Sequence, residues 1–138
     1  MKDFVISTDT TSDLPKSYIQ ENNIGIHQLY YAFGDEIYGS ENGLPEKEFY
    51  ARMRNGALPT TMATNPDDSE KIFQKRVDEG LDVLHIAFSS ALSSSCNNST
   101  LAATEVMENN PGSKILILRI GSSSVLRRDE GCKLWRCR

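Results

Sequence analysis

The chain of 138 residues is about the length of one domain, and 38% hydrophobic with 25% charged residues is a globular balance, not a disordered one. No apolar run approaches the ~18 residues of a membrane span, and Met1-Lys2-Asp3 opens without the apolar stretch of a signal peptide, so a soluble, cytoplasmic protein is expected. The net charge of −4 hides a split, because residues 1–118 carry 9 Lys/Arg against 17 Asp/Glu while residues 119–138 carry 6 against 2. The acidic bulk argues against a nucleic-acid partner, whose phosphates need Lys and Arg. Three widely spaced cysteines and two histidines offer neither a disulfide framework nor a metal knuckle, so no metal site and no cofactor are expected.

The first element in chain order is Phe4–Thr8, a β-rich run that reads as a buried strand. The small polar cluster Asp9–Asp13 after it reads as a turn, with Asp13 placed to cap a helix two residues before Pro15. Ile24–Phe33 alternates as one second strand, and Gly34-Asp35 followed by Glu36–Tyr38 reads as a short hairpin. Pro45–Arg54 is a predicted helix with Phe49 and Met53 on its inner side and Gly56 at its end. A loop from Leu58 to Asn65 leads to a helix over Pro66–Glu79, whose acidic start and basic later turns suit the helix dipole. Val83–Phe88 is the clearest buried strand. A helix over Ser93–Glu108 follows, with Leu92, Cys96, Ser99, Ala103 and Val106 as its sheet-facing stripe, and Lys114–Leu118 supplies another strand. Strands alternating with helices predict an α/β fold with a mainly parallel sheet flanked by helices.

Three hydroxyl-rich segments fall where such a sheet places its loops: Thr8–Asp13, Thr60–Asn65 and Ser89–Ser95. Ligands of open α/β sheets bind outside the carboxyl ends of the strands. The third segment leaves a strand and enters a helix, so free N–H groups, the positive dipole end and the Ser93–Ser95 hydroxyls converge in a geometry that attracts a carboxylate or phosphate. The alternative is that these serines only cap the helix and fill the turn. A serine nucleophile needs a base within reach, and the two histidines, His27 and His85, lie inside predicted strands where an interior imidazole is the simpler reading. Asp9 and Asp13 suit either turn capping or, for Asp9, ordering of the loop hydroxyls. No Gly-rich phosphate loop is present.

The segments Phe4–Pro15 (FVISTDTTSDLP), Pro59–Pro66 (PTTMATNP) and Ser89–Ala103 (SSALSSSCNNSTLAA) resemble, in order and spacing, the DegV family of bacterial fatty-acid-binding proteins. The first is similar to the family's strand followed by Asp-Ser-Thr-x-Asp-Leu-Pro. The second is similar to its Thr-Ser-Gln-x-x-Pro loop, with Thr61 at the Thr, and the third to its Ser-Ser-x-Leu-Ser-Gly-Thr helix start, with Ser93 at the Ser and Ser94-Ser95 replacing Gly-Thr. The resemblance implies the amino-terminal domain of a two-domain fold. It also implies that hydroxyls at Thr61 and Ser93 hold the carboxylate of a long-chain fatty acid, whose acyl chain lies against a larger second domain. Several family members carry the acid to a separate fatty acid kinase, so a non-catalytic acyl carrier with a kinase catalytic subunit as partner is implied.

Two departures from the family pattern are visible. Ser94 adds a side chain where the family has Gly and its backbone comes close to the ligand. After Leu118 the family's continuation is missing, and residues 119–138 turn basic, rich in Arg, Cys and Trp. The domain organisation is therefore expected to be an α/β head-group-binding domain over 1–118 and a divergent basic tail over 119–138, from a frameshift or truncation or as a natural short variant. Without the second domain, impaired lipid binding and self-association through exposed apolar surface are expected. The alternatives to a carrier are a ligand-free interaction module and a serine-dependent hydrolase or phosphotransferase using Ser93.

Overall fold

Two sheets share the chain in the computed structural model, which describes residues 3–39, 42–88 and 93–120. The larger sheet is wholly parallel, in the order β2 (Gly25–His27), β1 (Phe4–Asp9), β6 (Asp82–Ala87), β7 (Ile115–Arg119). Helices α1 (Lys16–Glu21), α3 (Pro66–Asp78) and α4 (Ser95–Asn109) supply the crossovers between its strands. The smaller sheet is antiparallel, in the order β4 (Glu36–Tyr38), β3 (Tyr30–Phe33), β5 (Thr60–Met62), and α2 (Glu46–Arg54) packs against it through Phe49, whose ring lies 5.2 Å from Tyr31 and 5.5 Å from Phe33.

Register explains where the core sits. Val5, Val83 and Ile115 stand side by side across β1, β6 and β7, followed on the same face by Ser7, His85 and Ile117. That face receives α3 and α4: Phe73, Ala102, Ala103, Val106, Val83 and Ile115 form the buried cluster, with Phe73 and Val106 at 0% exposure. Burying a side chain of the size of Phe73 contributes about 1.5–3 kcal/mol. The expected stripe on α4 holds, because Cys96, Ser99, Ala103 and Val106 are all buried and mostly small, which lets the helix lie close. Leu92 lies outside the described residues. At Gly25 an added Cβ would meet the Ser7 Cβ at 3.0 Å and the Ile72 Cγ2 at 3.3 Å, so β2 approaches β1 and α3 only without a side chain.

Several elements differ from the sequence expectation. The alternating run Ile24–Phe33 is not one strand. It breaks at Gln28-Leu29, where the Leu29 amide donates to Thr10 Oγ1 (3.2 Å), so β2 joins the parallel sheet and β3 the antiparallel one. Alternation marks faces, and it continues unchanged when a chain passes from one sheet to another. Thr60–Met62, expected in a loop, is a strand because the free edge of β3 pairs with it. Asp13 does not cap a helix. It sits in the left-handed region (φ 48°) at the end of a 3-10 turn over Thr10–Ser12, and α1 starts after Pro15 without a side-chain cap. Of the pair expected to face inward from α2, Phe49 packs as stated, whereas Met53 remains 40% exposed. The hairpin at Gly34 (φ 60°) and the mainly parallel α/β class hold.

Candidate functional site

The amino-terminal turn of α4 brings together two of the hydroxyl-rich segments. The β5–α3 loop runs over Ala63–Asn65 between Met62 and Pro66, and the α4 side chains hold it by its backbone. The Thr64 amide donates to Ser95 Oγ at 3.2 Å, and Asn98 Nδ2 donates to the Thr64 carbonyl at 2.7 Å. Ser95 Oγ lies 2.8 Å from Ser93 Oγ, which also accepts the Ser95 amide at 3.2 Å. Ser95 and Thr64 are both 2% exposed, while Ser93 is half-buried and Ser94 exposed. Ser93 therefore satisfies one of the helix's otherwise unpaired first amides. Thr61 stands on β5 directly opposite Tyr31, on the face that also carries Tyr38, and is exposed.

The remaining segment, Thr8–Asp13, is tied down by Asp9 at the end of β1. Its carboxylate, 3% exposed, accepts the Phe88 amide at 3.0 Å and the Thr11 amide at 3.0 Å, and also the Thr11 hydroxyl. Thr8 Oγ1 donates to the Ile86 carbonyl at 3.0 Å. Asp9 thus orders the hydroxyl turn after β1 and links it to the end of β6. Ser89 to Leu92, between that end and Ser93, lie outside the described residues.

The two histidines are interior groups. His27 and His85 flank β1, their ring centroids 4.2 Å apart and both against Phe73. His85 Nδ1 pairs with Ser7 Oγ (3.0 Å) and His27 Nδ1 with Ser69 Oγ (2.9 Å). His27 Nε2 has no partner among the described residues. Burial, reinforced by the neighbouring His85, lowers the His27 pKa to about 2. Burial also lowers His85 to about 4, against the opposing pull of Asp9 and Ser7. Among the described residues the partners of Ser93 are the Ser95 hydroxyl and amide, not an imidazole. Among the described residues no cluster of three or more His, Cys, Asp or Glu is placed to hold a metal ion, and no helix is long and apolar enough to cross a membrane.

Sequence reasoning passed over Thr64 and Asn98. Asn98 lies three residues after Ser95 and so on the same side of α4, a spacing readable in the sequence. Its partner, a backbone carbonyl 34 positions earlier, left no trace there.

Comparison with known proteins places this geometry in a family. The model described as "Uncharacterised protein, DegV family" matches residues 3–125, seven residues past the boundary drawn at Leu118. A DegV domain-containing protein of Clostridium perfringens is 36% identical over 120 residues, covering 86% of this chain and 41% of its own length. A fatty acid-binding protein of Thermotoga maritima is 33% identical over 105 residues, covering 73% and 36%. Among solved structures, a DegV family protein from Thermus thermophilus described for its fatty acid binding superposes with a TM-score of 0.74 at 28% identity, over 86% of this chain and 41% of that one. A stearic acid-binding protein from Eubacterium ventriosum shares the fold with a TM-score of 0.77 at 24% identity, over 83% and 40%. The chain thus spans about 40% of the length of these relatives. With a family match across most of its length, the chain belongs to the DegV family.

Proposed function

We propose that this chain holds the carboxylate of a long-chain fatty acid without acting on it, with Thr61 and Ser93 as the head-group ligands. The observation that carries the reading is the hydroxyl series at the start of α4. Ser95 Oγ takes the Thr64 amide and lies in reach of Ser93 Oγ. When Ser95 donates to Ser93, the Ser93 O–H is left to point at an anion, polarised by the chain behind it and aided by the helix dipole. Hydrogen bonds to a charged group contribute about 1.5–3 kcal/mol each, so two hydroxyls orient a carboxylate without an arginine. On the order of ten buried methylenes would add roughly 8 kcal/mol before entropy losses. The fatty acid binding described for the Thermotoga maritima and Thermus thermophilus relatives supports the same ligand class.

A carrier role, in which the bound acid is presented to a separate fatty acid kinase, is part of this reading. So is the absence of catalysis, since Ser93 pairs with another serine instead of a base. Self-association is favoured by one observation: on β7, an edge of the parallel sheet among the described residues, Leu116 is 66% and Leu118 43% exposed, facing away from α3 and α4.

Mass spectrometry of small molecules extracted from the purified protein tests the ligand class, and long-chain fatty acids are the expected species. Thr61→Ala and Ser93→Ala should each lower the affinity for palmitate about tenfold or more, from the loss of one charge-assisted bond. Unchanged retention in the double variant would remove the site assignment. Turnover of an acyl ester abolished by Ser93→Ala would replace the carrier with a hydrolase.

A further inference from the structure

We propose that Ser95 and Asn98 are positioning residues of the head-group site: together they clamp the Ala63–Asn65 loop onto α4 and so set the strand bearing Thr61 against the Ser93 hydroxyl. The inference rests on the carrier reading given above. Thr61 belongs to the antiparallel sheet and Ser93 to the approach to α4, so the two hydroxyls sit on separately hydrogen-bonded units. Two groups that must grip one carboxylate together need a fixed separation, and a misplacement of about 1 Å is costly.

Thr64 supplies the connection. Both polar groups of its peptide backbone are held by α4, the amide by Ser95 Oγ and the carbonyl by Asn98 Nδ2. Ser95 and Asn98 are three residues apart on one side of the helix, so the contacts form a two-point attachment that resists rotation as well as translation. Only Ala63 lies between Thr64 and the end of β5, which leaves little slack between the clamp and Thr61.

A second observation points the same way. Thr64 is 2% exposed, yet its Oγ1 has no partner among the described residues. A buried hydroxyl left unpaired is a cost that folding alone does not select for, and such groups call for a reason. Thr64 is held in this place although its hydroxyl gains no hydrogen bond among the described residues, as expected where placement of the loop matters more than local stability.

Ser95 also touches Ser93 directly, so it couples the clamp to the ligand hydroxyl. The family motif has Thr at this position, which keeps the same Oγ, so Ser95→Thr is the conservative control.

The test compares palmitic acid with hexadecanol, which carries a tail of the same length and no charge, on the full chain. Asn98→Leu keeps nearly the size of the side chain and removes the donor to the Thr64 carbonyl without adding a charge; Ser95→Ala removes the acceptor of the Thr64 amide. Both should lower palmitate affinity about tenfold, the equivalent of one charge-assisted bond, with hexadecanol affinity held within about twofold. Both should also speed hydrogen exchange of the Thr64 amide about tenfold, a readout that needs no lipid, and Ser95→Thr should restore both properties. Equal loss of acid and alcohol binding, or no change in either affinity or exchange, overturns the clamp while leaving the carrier reading in place. A wild-type protein with no preference for acid over alcohol overturns the head-group reading and the clamp with it.

Discussion

Lowering the pH from 7 to 5 should destabilise this protein by about 4 kcal/mol through two side chains alone. His27 and His85 are neutral in the folded state because burial holds their pKa values to about 2 and about 4, against an ordinary value of 6.5. In the unfolded chain both take up protons below pH 6.5, so the stability they contribute is fully present above that pH and is lost as pH falls. At pH 5 the folded state still binds almost no proton at either site, while the unfolded state binds nearly one at each. Each histidine then costs about 2 kcal/mol relative to pH 7 at 1.36 kcal/mol per pH unit. His85 stops contributing below about pH 4, where its folded form titrates, and His27 continues further. The window from 7 to 5 is chosen because it brackets the ordinary histidine value of 6.5, and the chain has two histidines. Urea denaturation at pH 7 and pH 5 should show a midpoint lower by about 2 M at the acid end, for a slope of about 2 kcal/mol/M. The double variant His27→Gln/His85→Gln should show almost no shift, and His85→Gln alone about half. A full shift surviving in the double variant would refute the assignment to the histidines. A wild-type midpoint that does not move would refute their burial as neutral groups.

Two further outcomes follow from the packing. Phe73→Ala removes a fully buried ring from between the histidines and α4, and should cost about 3–5 kcal/mol in the same urea assay. Gly25→Ala should cost about 1–3 kcal/mol, because the new methyl meets the Ser7 Cβ at 3.0 Å and the Ile72 Cγ2 at 3.3 Å; a neutral result would show that β2 can move away from β1 at little cost.

Much of the fold was legible in the residues themselves. Phe4–Thr8 and Val83–Phe88 mark themselves by β-rich composition and the small-residue stripe of α4 by its period; burial alternates along β6 and follows the α4 stripe, whereas along β1 it rises toward the carboxyl end. Asn65 at the start of α3 was placed only in a loop, although its cap is as local a feature: its Oδ1 accepts the Asp67 amide at 3.1 Å. Thr61 and Ser93, the hydroxyls proposed to hold the head group, were marked by family motifs whose information is likewise local. The contact of Asn98 with the Ala63–Asn65 loop was not, because its partner is a backbone carbonyl, and every residue has one.

Tertiary structure alone decided the rest. Nothing between Ile24 and Phe33 marks a break, yet the chain changes sheets at Gln28 because separate partners, β1 and β5, claim its two halves. The histidines were visible as interior residues, but not as a pair. They meet because β1 sets Ser7 beside His85 and Asp9 beside His27, bringing strands 58 residues apart to its two sides. Local preferences act over a handful of neighbours along the chain, whereas strand register fixes contacts between segments whose sequences carry no record of each other.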